Sequence, residues 1–286
     1  MRRYLKPLLA VLLFAVIQGV TSVLVSVLAM LGTMCKNAWQ TGGHFFSASS
    51  CPDGMPPLGF GEMAAIIFVS GAVTLYVLAR LTGSLRFPRA LDPRGVCWHQ
   101  APLVLLAFAA GVLAVNLFFE RFDLPDWAGD SLAGLMSTLP GVLAVGVVGP
   151  LVEEAVFREA LLGGMLHERV SPGRAILNSS FVFGAIHVNP AQMPAAFVIG
   201  MMLGVVYWRT GNIVLPCLLH MANNLLCVGL TRALGDPART FTWGKWMGGD
   251  PVAIVVMAVS ALLCVWLFMV FVRCYPVAET PGDNEE

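Results

Sequence analysis

Val152-Glu153-Glu154-Ala155-Val156-Phe157-Arg158-Glu159 lies inside an apolar run covering residues 135–166. A charged side chain at the centre of a bilayer helix costs about 2.5–3.5 kcal/mol on insertion scales. Two adjacent carboxylates, with an arginine one helical turn after the second, therefore read as a functional site. Such a site faces the protein interior or a wet cavity, and the rest of the chain hides and completes it.

The surrounding composition supports a membrane setting. Apolar residues make up 57% of the 286 and charged residues 12%, with a mean hydropathy of +0.78. A soluble domain carries roughly 25% charged residues, so this chain reads as an integral membrane protein. Formal net charge is zero and the basic residues are scattered. With no basic stripe to track phosphates, nucleic acid is excluded as a partner. Apolar segments of about 20 residues cross a bilayer as helices that satisfy their own backbone polar groups. The alternating ten-residue pattern of a membrane barrel is absent. The fold class expected is all-α and polytopic, with about eight transmembrane helices.

Working outward from the charged stretch, the fourth span covers residues 132–166, too long for one straight crossing, and Pro140 and Pro150 are expected to break or kink it. Before it, a basic start (Met1 to Lys6) leads into a first span at 7–31. That span is longer than the 7–15-residue apolar core of a signal peptide, so it reads as uncleaved. A Gly-, Ser- and Pro-rich loop (32–57) then precedes spans at 58–79 and 101–119, and an acidic loop covers 120–130. After the fourth come spans at 174–188, 192–207, 212–230 and 250–272, and a polar tail at 277–286. The chain reads as one transmembrane domain over 1–286. Its core helices, which carry the charged stretch, lie in 133–231, spans one to three in 1–132 and the final span in 250–273.

Eight spans put both termini on one side, taken as the cytosol. The inside segments then hold Arg2, Arg3, Lys6, Arg80, Arg86, Arg89, Arg94, Arg158, Arg169, Arg174, Arg209 and Arg273; the outside segments hold Lys36, Arg121, Arg232, Arg239 and Lys245. Twelve against five, or eleven against five without the intramembrane Arg158, fits the positive-inside rule. Cys35 and Cys51 fall outside the cytosol, where a disulfide between them would persist. The other five cysteines read as packing residues, and no CxxC pair suggests a zinc knuckle.

Glu154 and Arg158 are spaced i, i+4 with the acid first, the better orientation for a helical ion pair. Glu153 points roughly 100° away with no obvious local partner, and a carboxylate in that setting suits a general base. If Pro150 starts a new helical segment, Glu153 falls in its first turn. Two further polar sets lie in later spans. Phe183-Gly184-Ala185-Ile186-His187 ends the fifth, and His220-Met221-Ala222-Asn223-Asn224 puts His220 and Asn224 on one face of the seventh. At about 1.5 Å per residue, Glu153, His187 and Asn224 lie about 18–21 Å from the cytosolic ends and His220 about 12–16 Å. A single site built by three helices is permitted. Simpler readings stand beside it. An intramembrane His or Asn is often interhelical glue, and Gly200-x-x-x-Gly204 reads as a close helix contact. Glu153, Glu154 and Arg158 could form a purely structural ion network, and Trp243 and Trp246 an interfacial anchor.

Glu153-Glu154-x-x-x-Arg158, Phe183-x-x-x-His187 and His220-x-x-x-Asn224 resemble, in order, the motif set of the CPBP family, the CAAX prenyl proteases and bacteriocin-processing proteins. The resemblance covers residues 135–230 and implies a protease with its active site inside the membrane. It implies that Glu153 activates the attacking water with help from His187. His220 and Asn224 would stabilise the oxyanion, supported by the Glu154–Arg158 pair. The expected substrate is a membrane-associated peptide or protein, whether or not it is a lipidated C-terminal tail. Two Glu and two His (Glu153, Glu154, His187 and His220) would also serve as zinc ligands. H-E-x-x-H is absent, and Asn224 suits hydrogen bonding better than metal, so a metal-independent glutamate mechanism with no cofactor is preferred. The competing class is a non-catalytic immunity or scaffold protein, or a transporter, although the paired broken helices of a repeated transporter are not seen. Residue usage rich in Ala, Val, Leu, Gly and Arg suggests a bacterial inner membrane.

Overall fold

The computed structural model describes residues 2–41, 58–81, 89–234 and 241–275. Among them every regular element is helical. We number the main helices α1 (Arg2–Thr41), α2 (Phe60–Tyr76, continued by a π turn over Val77–Leu81), α3 (Ala101–Phe119) and α4 (Gly129–Met136). Then follow α5 (Leu139–His167), α6 (Pro172–Ala185), α7 (Met193–Thr210), α8 (Val214–Leu234), the single turn α9 (Trp243–Trp246) and α10 (Asp250–Cys274). Among the described residues, seven helices are long and apolar enough to cross a membrane. Outward-facing apolar residues such as Leu12, Val23 and Leu28 on α1, and Val255, Leu262 and Trp266 on α10, supply the lipid-facing surface. The protein is an all-α, polytopic integral membrane protein.

Several boundaries differ from the sequence reading for identifiable reasons. Helix α1 continues through Thr41 instead of ending near residue 31. Residues 33–40 contain no Gly or Pro, and the breaker-rich stretch starts only at Gly42. The expected Cys35–Cys51 bridge cannot be followed, because Cys51 lies outside the described residues. The long fourth segment breaks at Ser137–Thr138, two residues ahead of Pro140. There the extended Thr138 caps α5, its Oγ1 accepting from Gly141 N at 3.1 Å, and Pro140 sits in the first turn, where its missing N–H costs nothing. Pro150 does not start a new helix, and Glu153 is not in a first turn. A π-helical stretch at Ala144–Val148 takes up the proline, and α5 runs on to His167. A second π-helical stretch, Ala155–Gly163, begins directly after Glu154.

The fifth expected span is the largest difference. Helix α6 has 14 residues, about 21 Å of rise against a hydrocarbon core of about 30 Å. It stops because Pro190 disfavours helical geometry at Asn189, and His187 therefore lies in the turn beyond the helix. Helices α6 and α7 form a tight hairpin. A Cβ on Gly200 would stand 3.0 Å from Phe183 Cδ1, and one on Gly204 3.1 Å from Ile176 Cγ2, so the small residues are what let the two helices meet.

The bundle has two dissimilar ends. At one, Ile213 N donates to Ala90 O at 3.1 Å, Asn212 Nδ2 to Asp92 O at 2.9 Å and Cys97 N to Tyr275 Oη at 2.9 Å, closing the loop before α3 against α7, α8 and α10. At the other, Ala191 N donates to Pro125 O at 3.1 Å, and Glu120 accepts from Trp243 N and Gly244 N at 2.8 Å each. Between the closed end and Glu153 lies the main apolar core, in which Phe157, Leu161, Leu162, Met165, Ile176 and Ile213 are all buried.

Candidate active site

Helix α5 presents its two adjacent carboxylates to different surroundings. Glu154 is wholly buried, and its Oε2 stands 3.0 Å from Nε of the equally buried Arg158. The contact is an ion pair rather than an aligned hydrogen bond, and Arg158 Nη1 and Nη2 also have no hydrogen-bond partner among the described residues. The guanidinium instead lies over the Phe183 ring, 4.7 Å from its centroid, a cation–π contact that strengthens when both groups are desolvated. Phe183 also meets Phe157, His187 and His220 edge-on, at centroid distances of 5.2, 5.0 and 5.8 Å. One aromatic plate thus fixes the arginine and both histidines.

His220, on α8, joins the two carboxylates. Its Nδ1 is 2.9 Å from Glu154 Oε1 and its Nε2 3.8 Å from Glu153 Oε2. A carboxylate already held by Arg158 is an acceptor, so the hydrogen of that short bond sits on His220 Nδ1. Glu153 itself keeps 25% of its side-chain surface exposed. Asn224, one turn after His220, donates from Nδ2 to Val145 O at 3.0 Å and accepts from Asn223 Nδ2 at 3.3 Å. The carbonyl of Val145 is available because that residue lies in the first π-helical stretch of α5. His187 uses Nδ1 on the carbonyl of Phe183, at 2.8 Å, which closes the end of α6, and the residue lines the cavity.

Glu153, His187, His220, Asn223 and Asn224 all line one cavity of about 1370 Å³. The six residues singled out in the sequence therefore fall into one neighbourhood, four on the cavity and two, Glu154 and Arg158, sealed behind it. Two contributors escaped the sequence reading. Asn223 is the neighbour that orients Asn224. Asn189 is 3% exposed; its Nδ2 donates to Asp126 Oδ1 at 2.8 Å and its Oδ1 accepts from Trp127 N at 3.0 Å. It ties the turn carrying His187 to the loop before α4. Between them Val188 has φ 53°, a strained conformation for a β-branched residue. The Asn-Pro dipeptide at 189–190 was the available signal, since it marks a turn.

Comparison with known proteins points the same way. Residues 135–226 match the family described as "Type II CAAX prenyl endopeptidase Rce1-like". All six polar positions lie inside that segment. Over those residues the chain is similar to that family. The chain is also 30% identical over 135 residues to the Bacillus subtilis (strain 168) protein named "Putative membrane peptidase YdiL". That alignment takes in 46% of this chain, which spans only 55% of the relative's length. No solved structure matches. The matched segment runs from the end of α4 into α8. It thus includes the Phe183 plate and both π-helical stretches but none of α1 to α3 and not α10.

Proposed function

We propose that this chain is an intramembrane endopeptidase that hydrolyses a peptide bond with a water molecule activated by Glu153. The observation that carries the reading is the approach of His220 Nε2 to Glu153 Oε2 at 3.8 Å on a cavity wall, with Glu154 holding the far side of the imidazole at 2.9 Å. An ionised Glu153, Glu154 and Arg158 carry one net negative charge. In the proposed mechanism His220 works as an imidazolium, donating from Nδ1 to Glu154 and from Nε2 into the cavity. That state holds a carboxylate base and a cationic donor side by side. Glu153 takes a proton from water, whose oxygen attacks the carbonyl carbon. The developing oxyanion accepts from His220 Nε2–H and from the second N–H of Asn224. Collapse breaks the C–N bond, and the proton held by Glu153 passes to the departing amine. His187, with Nδ1 hydrogen-bonded to Phe183, offers Nε2 to the same water. Each oxyanion donor is worth about 10²–10³ in kcat.

The donor set fits zinc poorly. Both oxygens of Glu154 are engaged, one by the cationic Arg158 and one by His220. Among the described residues no three His, Cys, Asp or Glu side chains cluster at metal-binding spacing. We accordingly read the mechanism as metal-independent, with no cofactor. Residues 133–231 are the proposed catalytic core, enclosed by the spans in 1–132 and 250–273. The excess of Lys and Arg at the closed end supports a cytosolic position for that end and both termini, and the Ala-, Val-, Leu-, Gly- and Arg-rich usage supports a bacterial inner membrane. The substrate is a membrane-associated peptide or protein; a lipidated C-terminal tail is one candidate class.

The test is cleavage of a quenched fluorogenic peptide library, prenylated and unmodified, by detergent-purified protein. Wild type, Glu153→Ala, and wild type with a zinc chelator run in parallel. Cleavage lost in the variant and retained with chelator supports the glutamate mechanism, whereas loss in both returns the metal. Cleavage retained by Glu153→Ala overturns the assignment, and an inert wild type turns the reading toward a non-catalytic membrane protein.

A further inference from the structure

Gln18 is the only amide side chain between Pro7 and Leu31, a stretch with no charged residue. An amide in a bilayer span needs a hydrogen-bond partner, because lipid tails offer none. Helix α1 lies antiparallel to α5, and two contacts fix their register. A Cβ on Gly164 would stand 3.0 Å from Pro7 Cγ, and Phe14 meets Phe157 edge-on, 6.2 Å between ring centroids. Steps forward along α1 thus match equal steps back along α5, and one further turn puts Gln18 level with Glu153. Helix α2 closes the same corner. A Cβ on Gly71 would stand 2.9 Å from Val152 Cγ2, so the glycine lets α2 lie directly against the residue before Glu153. From α2 the wholly buried Ser70 donates to Gln18 Oε1 at 2.5 Å, its hydroxyl also lying 2.6 Å from the Ile66 carbonyl. Gln18, Gly71 and Glu153 all line the cavity.

We infer that Gln18 is a substrate-binding residue, its Nε2 donating to a main-chain carbonyl of the peptide held in the cavity. The inference rests on the endopeptidase reading above. Ser70 fixes the amide by its oxygen, so the Nε2 hydrogens are the ones left to bind a ligand. A strap between α1 and α2 would account for the Ser70 bond, but not for an amide on the cavity wall level with Glu153. A peptide drawn from water into this space loses the hydration of its carbonyls, which must be paired again. The neighbouring walls at Ile67, Val152 and Ile199 are apolar and offer no side-chain donor. A neutral amide suits the task, because it pairs with a carbonyl whatever the side chain and adds no charge beside Glu153. Gln18 lies outside the matched residues 135–226, so the contact is a contribution of α1 to a site otherwise built by later helices.

The test uses full-length protein in detergent and the peptide that wild type cleaves fastest in the library assay. Gln18→Met keeps the side-chain length and removes the amide. It should raise KM about 3–10-fold, the worth of one hydrogen bond, with kcat little changed. Ser70→Ala breaks the same α1–α2 bond but leaves the amide, so its KM should rise less while its melting midpoint falls at least as far. A scan of the peptide with single amide-to-ester replacements, each weakening one carbonyl acceptor, then locates the partner. One ester should raise KM for wild type and add nothing further for Gln18→Met. Gln18→Leu gives the same readout should Gln18→Met not fold. A wild-type KM in these Gln18 variants, or an ester response that they retain in full at every position, overturns the inference and leaves the endopeptidase reading standing. A wild type that cleaves no peptide overturns both.

Discussion

Glu153 and Glu154 are neighbours in the chain, yet they belong to two different regions of the molecule. Glu154 is sealed between Arg158 and His220, with no exposed surface, in a cluster capped by the Phe183 ring. Glu153 sits on the wall of a cavity of about 1370 Å³ with its carboxylate partly open. The contrast separates support from chemistry. A buried carboxylate with an arginine on one side and an imidazole on the other is an orienting group, immobilised at the cost of desolvation. A carboxylate that meets water and a second imidazole nitrogen is free to exchange a proton. One helix carries both because successive side chains diverge by about 100°, enough to put one residue behind the wall and the next on it.

Six variants break or sharpen that division. Glu153→Ala removes the proposed base and is expected to lower kcat by about 10²–10⁴, the usual worth of a positioned acid–base group. Its melting midpoint should stay near wild type, because the buried His220 keeps its 2.9 Å contact with Glu154 and loses only the 3.8 Å one to Glu153. Glu154→Ala leaves Arg158 buried and unpaired, a loss of about 3–5 kcal/mol of stability, read as a lowered midpoint in detergent. Glu154→Leu combined with Arg158→Met should recover most of that stability without recovering activity, since His220 would still lack its holder.

Two variants at Asn189 act between the regions. Asn189→Ala cuts two hydrogen bonds that pin the His187 turn to the loop before α4. The expected stability loss is about 1–3 kcal/mol. Displacement of His187 by about 1 Å would lower kcat by as much as 10²-fold, with KM little changed. Asn189→Asp, which can still accept from Trp127 N, should fall between the two. The smallest effect on activity is expected from Gly200→Ala. The added methyl meets Phe183 at 3.0 Å and should cost about 1–3 kcal/mol, moving the plate under Arg158 and both histidines together. A drop in kcat there without one in stability would show that the plate, not the hairpin packing, is what Gly200 protects.

The sealed half was largely legible in the sequence, and the open half was not. The spacing of Glu154 and Arg158 anticipates an ion pair on one helix face, and the structure forms it at 3.0 Å. Gly200 and Gly204 likewise anticipate the α6–α7 contact. These readings worked because i, i+4 relations within a helix are local. What the sequence hid depends on where helices stop. Residues up to Val188 are apolar enough to read as a full fifth span, but Asn189-Pro190 ends α6 after 14 residues and moves His187 into a turn. Pro150 read as a helix start, whereas a π-helical stretch absorbs it and frees the Val145 carbonyl for Asn224. Partner choice was equally opaque. Nothing in the spacing of His220 says that its Nδ1 meets Glu154 instead of facing the cavity, because that contact joins residues 66 positions apart.

The most direct test of the division pairs two readouts on two variants. Peptide cleavage and thermal midpoint would be measured on Glu153→Ala and Glu154→Ala in the same detergent. The account predicts that Glu153→Ala loses cleavage with an unchanged midpoint, while Glu154→Ala loses stability first. Cleavage at the wild-type rate by Glu153→Ala, or a midpoint lowered by Glu153→Ala as far as by Glu154→Ala, would contradict it.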